Sequence, residues 1–439
     1  MKLERNQLLT VLSEALDCVE KEVLGVTDHH AKRVAWLCIC MGRKAGMDET
    51  EVSDLAIAAL LHDNALNEYK SDYEYGVLKP NVTGRAHCIA GESNFKLIPG
   101  CQNGRDFVLY HHECADGSGP FGKTEAETPF GAQLVHIADE VDLAFSLSSC
   151  SSHDLERIAA YVTEQEGILF SKRAVELFLG CLQQDSFEAL SNENIDELLF
   201  DIQEKEIGAE KSIAELFARI IDYKSPFTKD HSTGIAKKAE QMARQLGYDE
   251  ERVEMFYMAG AFHDIGKLFV DKDVLEKPGR LNDEEYLHIQ SHAYETYRLL
   301  SKITGFAEIR DWASYHHEKL NGKGYPFGKC ADELTEEMRL LACLDIYQAL
   351  TEDRPYKAGM THGKAISILR ELVEREELDA GLVEEIDKVF GEEVENKEVF
   401  TTALFQCPAC GYIYEGDVVP NGYECPVCGQ PEHGFYRIQ

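Results

Sequence analysis

The sequence has little positive charge, no long apolar segment and an N-terminus unlike a signal peptide. Only 44 Lys and Arg residues stand against 79 Asp and Glu in 439 residues, a net charge of −35. A surface of this sign repels nucleic-acid polymers and anionic membranes, so neither is an expected partner. No apolar run approaches the roughly eighteen residues that span a bilayer, and MKLERNQLLT is too charged for a signal peptide. We therefore expect a cytoplasmic protein whose ligands are small and are held by local positive charge.

Strand-like alternation of apolar and polar residues is also scarce before about residue 400. The sequence predicts an all-α protein with two tandem helical bundles, at residues 1–200 and 201–395, followed by a small β-rich domain at 396–439. The acidic stretch at 191–211 is expected to be a helical join. Apolar residues recur every three or four positions, the spacing of an amphipathic helix, where each bundle opens: Leu8, Leu12 and Leu16, then Ile213, Leu216 and Ile220.

The cysteines are not distributed as in a small disulfide-bonded protein. Ten of the fourteen are scattered singly, and the other four form two Cys-x-x-Cys pairs near the C-terminus. Four thiolates arranged in this way surround one tetrahedral ion, and iron and zinc both accept that geometry. We expect reduced thiols elsewhere in the chain and one metal ion at Cys407, Cys410, Cys425 and Cys428.

One motif occurs twice: HHECADGSGPFG begins at His111, and HHEKLNGKGYPFG begins at His316. Aligning the two strings brings further histidines and aspartates into register at nearly equal intervals. The first histidine precedes the His-Asp pair by 32 residues in both copies, and the next histidine precedes His-His by 24 in both. The matched sets are His30, His62, Asp63, His87, His111, His112 and Asp139, and His231, His263, Asp264, His292, His316, His317 and Asp345.

Imidazole and carboxylate groups together suit divalent transition metals. Seven such residues per copy exceed the needs of one ion, so we expect two ions that share a bridging carboxylate. A metal pair about 3.5–4 Å apart lowers the pKa of a bridging water and holds both oxygens in a displacement at phosphorus. The repeat therefore indicates phosphoester hydrolysis, although one copy could bind metal without catalysing a reaction.

The second copy resembles the HD-GYP branch of the HD phosphohydrolase superfamily. The resemblance is carried by HDIGK from His263, LNDEEYLHIQSH ending at His292, HHEKLNGKGYP from His316, and RPY from Arg354. It covers nearly all of residues 210–390. It implies an all-helical domain with a di-iron or di-manganese site that hydrolyses cyclic di-GMP.

Carried over by position, the resemblance makes the second matched set the metal ligands, with Asp264 as the bridge. It implies that Lys267 holds a substrate phosphate, that Arg354 assists, and that Tyr325 belongs to the signature loop. Two positions depart from the family pattern. Asn321 stands where members usually have aspartate, and Phe227 stands where some members have a glutamate that holds a third metal. A dinuclear site is therefore expected.

The first copy resembles the same family but has lost the groups that handle phosphate. All seven ligand-type residues are present, whereas Leu66 stands where the second copy has Lys267. The signature tyrosine is deleted, and no RPY follows Asp139. This combination favours a sensor, or a site for a different substrate, in the first copy.

The C-terminal segment, about residues 403–438, resembles the rubredoxin-like module of rubrerythrins, which holds one redox-active iron; a structural zinc ribbon is the alternative. The fusion suggests that the module, with a redox partner protein, sets the oxidation state of a di-iron centre. The leading hypothesis is a redox-gated cyclic dinucleotide phosphodiesterase with two Fe or Mn ions per HD domain. The alternatives are a redox or oxygen sensor and a di-iron oxygenase.

Overall fold

The structure, a computed structural model, divides into two compact units, Met1–Ile386 and Asp387–Gln439. The domain boundaries predicted at residues 200 and 395 stay predictions. The first predicted bundle lies in the first unit, and the second does so as far as residue 386. The described residues are 2–69, 73–74, 77–78, 84–101, 104–182, 190, 206–208, 211–225, 230–277, 279–353, 358–396, 404–406, 413–415 and 436–437.

The fold is mostly helical, as predicted. The described helices of the first half are α1 (Arg5–Leu24), α2 (His30–Lys44), α3 (Glu49–Leu60), α4 (Arg85–Phe95), α5 (Gly104–Leu109), α6 (Phe130–Phe145), α7 (Ser152–Glu164) and α8 (Lys172–Cys181). The predicted apolar stripe of α1 is buried. Helix α1 ends at Gly25, whose φ of 73° suits a residue without a side chain.

The second half repeats much of this order. Its described helices are α9 (Lys211–Asp222), α10 (His231–Gln245), α11 (Glu250–Phe262), α12 (Lys272–Leu275), α13 (Asp283–Leu300), α14 (Ala307–Ser314), α15 (Glu336–Thr351), α16 (His362–Glu374) and α17 (Ala380–Asn396). Helix α13 begins with a capping box in which Asn282 and Glu285 bond to each other's backbone. This cap fixes the start of the helix that carries His292.

The repeat positions the ligand-type residues in the same way in both halves. The first histidine opens α2 or α10, directly after a residue with left-handed backbone, His29 or Asp230. The His-Asp pair follows the end of α3 or α11, and His-His follows α5 or α14. The third histidine lies within α4 or α13, and the last aspartate within α6 or α15. Several helix ends therefore converge on one centre in each half.

Short strands occur at the joins and near the C-terminus. Strands β1 (Lys2–Glu4) and β4 (Glu206–Gly208) pair antiparallel, with Leu3 opposite Ile207. The stretch at 191–211, predicted to be helical, thus contains a strand, because pairing with β1 outweighs local helical preference. Strands β2 (Tyr73–Glu74) and β3 (Val77–Leu78) form a small antiparallel pair. In the second unit, β5 (Leu404–Gln406) lies between β6 (Ile413–Glu415) and β7 (Tyr436–Arg437).

Helix α1 also contacts the second half. Glu14 accepts hydrogen bonds from Arg298 at 2.7 Å and from Lys302, and Lys224 binds Glu22 at 2.8 Å. Over the described part of the chain, no helix is both long and apolar enough to cross a bilayer.

Two candidate metal centres

The second half brings four of its predicted histidines around one carboxylate, that of Asp264. Its Oδ2 lies 3.1 Å from His263 Nε2 and 3.8 Å from His231 Nε2. Its Oδ1 lies 3.4 Å from His292 Nε2 and 3.9 Å from His316 Nε2. The two oxygens of one aspartate therefore face two different pairs of imidazoles, which is the arrangement a bridging ligand needs.

Asp345 and His317 complete the set. Asp345 Oδ1 lies 3.2 Å from His231 Nε2 and 3.9 Å from His263 Nε2, while Oδ2 lies 3.8 Å from His317 Nδ1. The donor atoms fall into two compact groups, each with atoms within 4.8 Å of one another. The groups are His231, His263 and Asp264, and His292, His316 and His317. All seven predicted residues are thus brought together.

Hydrogen bonds to the backbone orient the imidazoles. A carbonyl oxygen can only accept, so a ring whose Nδ1 bonds to a carbonyl presents Nε2 as the free donor atom. Three rings bond to the carbonyl three residues earlier: His263 to Gly260 at 2.8 Å, His292 to Ile289 at 2.6 Å and His316 to Ala313 at 2.6 Å. His231 Nδ1 instead donates to Glu352 at 2.8 Å, a partner that the sequence analysis missed.

Burial favours the neutral, metal-binding form of several rings. It lowers the pKa of His292 to about 4 and that of His317 to about 3. Burial opposes charge on His231 too, but hydrogen bonds with Asp345 and Glu352 outweigh it and raise its pKa to about 9. Burial alone would raise the pKa of Asp264, yet the neighbouring His263 and Lys267 hold it well below its usual range.

Two buried donor atoms of this centre have no hydrogen-bond partner, His263 Nε2 and Asp264 Oδ1. Leaving such atoms unsatisfied in a protein interior costs about 1–3 kcal/mol each. A divalent cation between the carboxylate and the imidazoles would satisfy both, and nitrogen and oxygen donors suit Fe²⁺ or Mn²⁺. The residues therefore fit the predicted metals.

Two of the predicted substrate-handling groups border this centre. Lys267 Nζ forms a hydrogen bond with Asp264 Oδ2. Burial disfavours its charge, but Asp264 and Asp345 outweigh that effect and raise the pKa of Lys267, which keeps it cationic. The ring of Tyr325 lies 4.7 Å from the ring of His317, centroid to centroid. Arg354, the third predicted group, lies outside the described residues.

The loop that carries Tyr325 is held by Glu318, the glutamate of the His-His-Glu string. Its carboxylate is buried and accepts backbone N–H groups from Phe327 at 2.7 Å, Gly328 at 3.1 Å and Lys329 at 2.9 Å. The loop backbone packs tightly here, since a Cβ on Gly324 would lie 2.4 Å from the Glu318 Cα. The role of Glu318 was missed, although the shared string contained the signal.

The first half builds a similar centre around Asp63. Its Oδ1 lies 3.6 Å from both His87 Nε2 and His111 Nε2, and its Oδ2 lies 3.6 Å from His62 Nε2. His30 Nε2 lies 3.1 Å from Asp139 Oδ1. His62 Nε2, Asp63 Oδ1 and His111 Nε2 are buried without a hydrogen-bond partner. A divalent cation fits here for the same reason as in the second half.

The remaining groups of the first centre match the second only in part. His30 Nδ1 bonds to Asp142 at 2.6 Å, and Glu113 accepts the backbone N–H of Phe121 at 2.6 Å, as Glu318 does in its own loop. Leu66, in the place of Lys267, is fully buried.

Further donors near the first centre were missed. His112 belongs to a group with His87, Cys88 and His111, and also to one with His136 and Glu140. The spacing of His136 and Glu140, four residues apart and flanking Asp139, was a readable signal. The cysteines at 407, 410, 425 and 428 lie outside the described residues.

Three segments of the chain match known families. Residues 27–144 and residues 215–382 each match the HD domain, and residues 405–436 match the rubrerythrin, rubredoxin-like domain. The two HD matches contain the two centres described above. The third match covers the predicted Cys-x-x-Cys pairs, and rubredoxin-like domains bind iron.

Similar proteins are cyclic dinucleotide phosphodiesterases. The chain is 28% identical over 387 residues to 3'3'-cGAMP-specific phosphodiesterase 1 of Vibrio cholerae, covering 84% of this chain and 89% of that protein. It is 36% identical over 146 residues to the cyclic di-GMP phosphodiesterase PA4108 of Pseudomonas aeruginosa, covering 33% and 35%.

A solved structure shares the fold. It is the crystal structure of a cyclic GMP-AMP specific phosphodiesterase of V. cholerae (V-cGAP3), with a TM-score of 0.62 and 22% identity. The match covers 89% of this chain and 98% of that one. The family matches therefore place two HD domains and a rubredoxin-like domain in this chain, and its similarity to HD-domain phosphodiesterases identifies it as a metal-dependent phosphodiesterase.

Proposed function

We propose that the second HD domain hydrolyses the phosphodiester bond of a cyclic dinucleotide, with two divalent metal ions bridged by Asp264. The observation that carries this proposal is the position of Asp264, whose two oxygens face separate histidine pairs while Lys267 contacts the same carboxylate. Such a metal pair supplies a nucleophilic hydroxide at neutral pH and neutralises charge on the phosphoryl oxygens.

The surrounding residues divide the remaining tasks. Lys267 supplies a cation at the centre, which stabilises the charge that builds up at phosphorus. Tyr325 offers an aromatic face beside His317, on which a base or the sugar-phosphate backbone of the ligand can pack. Arg354 is proposed as a second phosphate-binding group. Glu318 keeps Tyr325 in place through the loop backbone.

The predicted substrate is cyclic di-GMP, and 3'3'-cGAMP is the second candidate. The cyclic di-GMP enzyme PA4108 matches at 36% identity, whereas the cGAMP-specific relative matches over most of the chain. Both ligands are dianions, and the protein carries a net charge of −35. Charges beyond about 8–10 Å are screened at physiological salt, so Lys267 and the metal ions set the local potential.

We further propose that the rubredoxin-like domain gates this activity by setting the oxidation state of an Fe pair. The fusion of a one-electron module to a hydrolase supports this idea, because hydrolysis itself transfers no electrons. The test removes residues 400–439 and measures turnover at several ratios of reductant to oxidant. Unchanged activity with unchanged dependence on reductant would refute the gating and leave the hydrolase proposal intact.

The decisive experiment for the hydrolase is anaerobic turnover of each cyclic dinucleotide by the iron-loaded protein, reduced and then oxidised. His263→Ala and Lys267→Ala accompany the parent protein, and His62→Ala is the matched variant in the first domain. Cleavage that requires His263 and survives without oxygen supports the proposal and excludes an oxygenase. No cleavage in either state at full metal occupancy would favour a sensor.

A further inference from the structure

The first HD domain has two ligand-type residues that the second domain lacks. When Asp139 is aligned with Asp345, His136 corresponds to Ala342 and Glu140 corresponds to Ile346. Both residues lie on α6, the helix that presents Asp139 to the first metal centre. Residues four apart on a helix share a face, so His136 and Glu140 project to the same side.

These two side chains meet a third donor, His112. The ligand atoms of His112, His136 and Glu140 all lie within 4.8 Å of one another. His136 is only 4% exposed, neither of its ring nitrogens makes a hydrogen bond of normal geometry, and the backbone of His111 offers it only a weak one. Burying an imidazole in this way destabilises the folded protein, because the ring loses its hydrogen bonds to water and gains none of equal strength. A bound cation would supply the missing interaction.

The chemistry of this group differs from that of a core histidine. Two imidazoles and one carboxylate with open positions form a donor set that binds Fe²⁺ and accepts other divalent first-row metals. The half-buried carboxylate of Glu140 adds an oxygen donor beside Asp139, whereas uncharged Leu66 stands in the place of the Lys267 cation. The first domain therefore offers an oxygen donor at Glu140 that the second domain lacks, and it has no lysine at the position of Leu66 to compete for a carboxylate.

We propose that His112, His136 and Glu140 form an additional divalent metal site in the first HD domain, next to its dinuclear centre. His112 also belongs to the group with His87, Cys88 and His111, so it lies between the added site and the pair. It would bind an ion through each ring nitrogen as an imidazolate, after releasing its N–H proton to solvent. The first domain then holds a three-ion cluster with a metal content that the second domain cannot match. This inference concerns metal binding alone and does not depend on hydrolysis in the second domain.

The test counts metal ions bound by the full-length protein. The metal-free protein is titrated anaerobically with Mn²⁺, and bound Mn²⁺ is measured by electron paramagnetic resonance and elemental analysis. His136→Gln and Glu140→Gln are each expected to lose one equivalent per chain. His153→Ala, which alters an exposed histidine of the same domain, is the control and should lose none.

Thermal unfolding separates a ligand from a packing residue. Without metal, the variants should melt within about 4 °C of the parent protein. With Mn²⁺, the variants should lose the part of the rise in melting temperature that comes from the added site. A small cavity lined in part by Thr128, Gln133 and Ser171 borders His136, and a water there could satisfy the ring instead. Unchanged Mn²⁺ stoichiometry in both variants would support that water and overturn the proposal. Absence of cyclic dinucleotide hydrolysis in the parent protein, with one Mn²⁺ equivalent lost in each variant, would count only against the proposed function.

Discussion

The two HD domains hold their metal-binding residues alike and differ in what surrounds them. In both, each oxygen of an aspartate faces imidazoles, three in all around Asp63 and four around Asp264. Backbone carbonyls three residues earlier orient rings in both, as for His62 and His263. The ends of the helices set this geometry locally, so it forms in the protein without a bound substrate. The proposed phosphate-binding position, Lys267, lies outside this set of ligands and can change while the metal-binding geometry stays the same.

The differences also alter the electrostatics of the two sites. The second domain sets a lysine against its bridging carboxylate, a pairing that a phosphate oxygen can join. The first domain has Leu66 at that position and adds His136 and Glu140. The second site therefore has a lysine where a phosphate anion can bind. The first site has an apolar side chain at that position and two further residues that can bind a metal cation.

The largest effect on hydrolysis is expected when the corresponding histidine of each domain is replaced by alanine. His263→Ala should reduce hydrolysis by roughly 10³-fold or more, because a lost metal removes several kcal/mol of transition-state stabilisation. His62→Ala should change hydrolysis by less than about 3-fold, or about 0.7 kcal/mol. Steady-state kinetics on both metal-loaded variants measures this contrast. Equal losses in the two variants would mean that the domains act as one site.

Lys267 and Leu66 provide the next contrast. Lys267→Ala should lower kcat about 10²-fold with unchanged metal content, because it removes one electrostatic partner of the reacting phosphate. Leu66→Ala should leave kcat unchanged but reduce the free energy of unfolding by about 2–5 kcal/mol, as expected for a fully buried leucine. Kinetics and denaturant unfolding separate the two effects. A stability loss without a kcat change in Lys267→Ala would make the lysine a structural residue.

Much of the helical fold and the members of both centres could be predicted from the sequence. The spacing of apolar residues indicates helices, and the equal intervals between histidines and aspartates indicate a repeated centre. The fourteen ligand-type residues converge since each lies at a comparable point of a repeated helix. The strand at Glu206–Gly208 was not predictable, because its partner β1 lies about two hundred residues away. Glu352 and Glu318 were missed for a related reason: their roles depend on atoms that only the folded chain brings near.

Substitutions at Tyr325 and Phe121 compare the loops that follow the His-His-Glu string in the two domains. Their effect on hydrolysis should be smaller than that of Lys267→Ala. Tyr325→Ala should raise KM roughly 10-fold with little change in kcat, because an aromatic surface contributes about 1–3 kcal/mol to stacking on a base. Phe121→Ala, in the loop of the first domain, should leave KM unchanged. Initial rates over a range of substrate concentrations measure both. A fall in kcat alone for Tyr325→Ala would assign the ring to metal-ligand positioning through His317.

The smallest effect concerns the contact between the two domains at Glu14. Burial raises its pKa, but hydrogen bonds from Lys302 and Arg298 outweigh this and lower it. A lowered carboxyl pKa stabilises the folded chain above the unfolded value of about 4.3, and this contribution is lost as the pH falls through the folded value. The side chains of Arg298 and Lys302 are both more than a third exposed, so solvent screens their ion pairs with Glu14. Glu14→Gln should therefore lower the free energy of unfolding by about 0.5 kcal/mol.

Thermal unfolding of the parent protein and Glu14→Gln should therefore differ by about 1 °C at pH 7. The difference should shrink as the pH falls from the unfolded pKa of about 4.3 through the lower folded pKa, below which Glu14 is protonated in both states. Lys21→Gln, which removes a more exposed pair with Asp28 inside the first domain, is the control and should shift unfolding less. If the difference in melting temperature persists at low pH, Glu14 stabilises the domain contact by packing. The contact would then depend more on side-chain packing than on ion pairs.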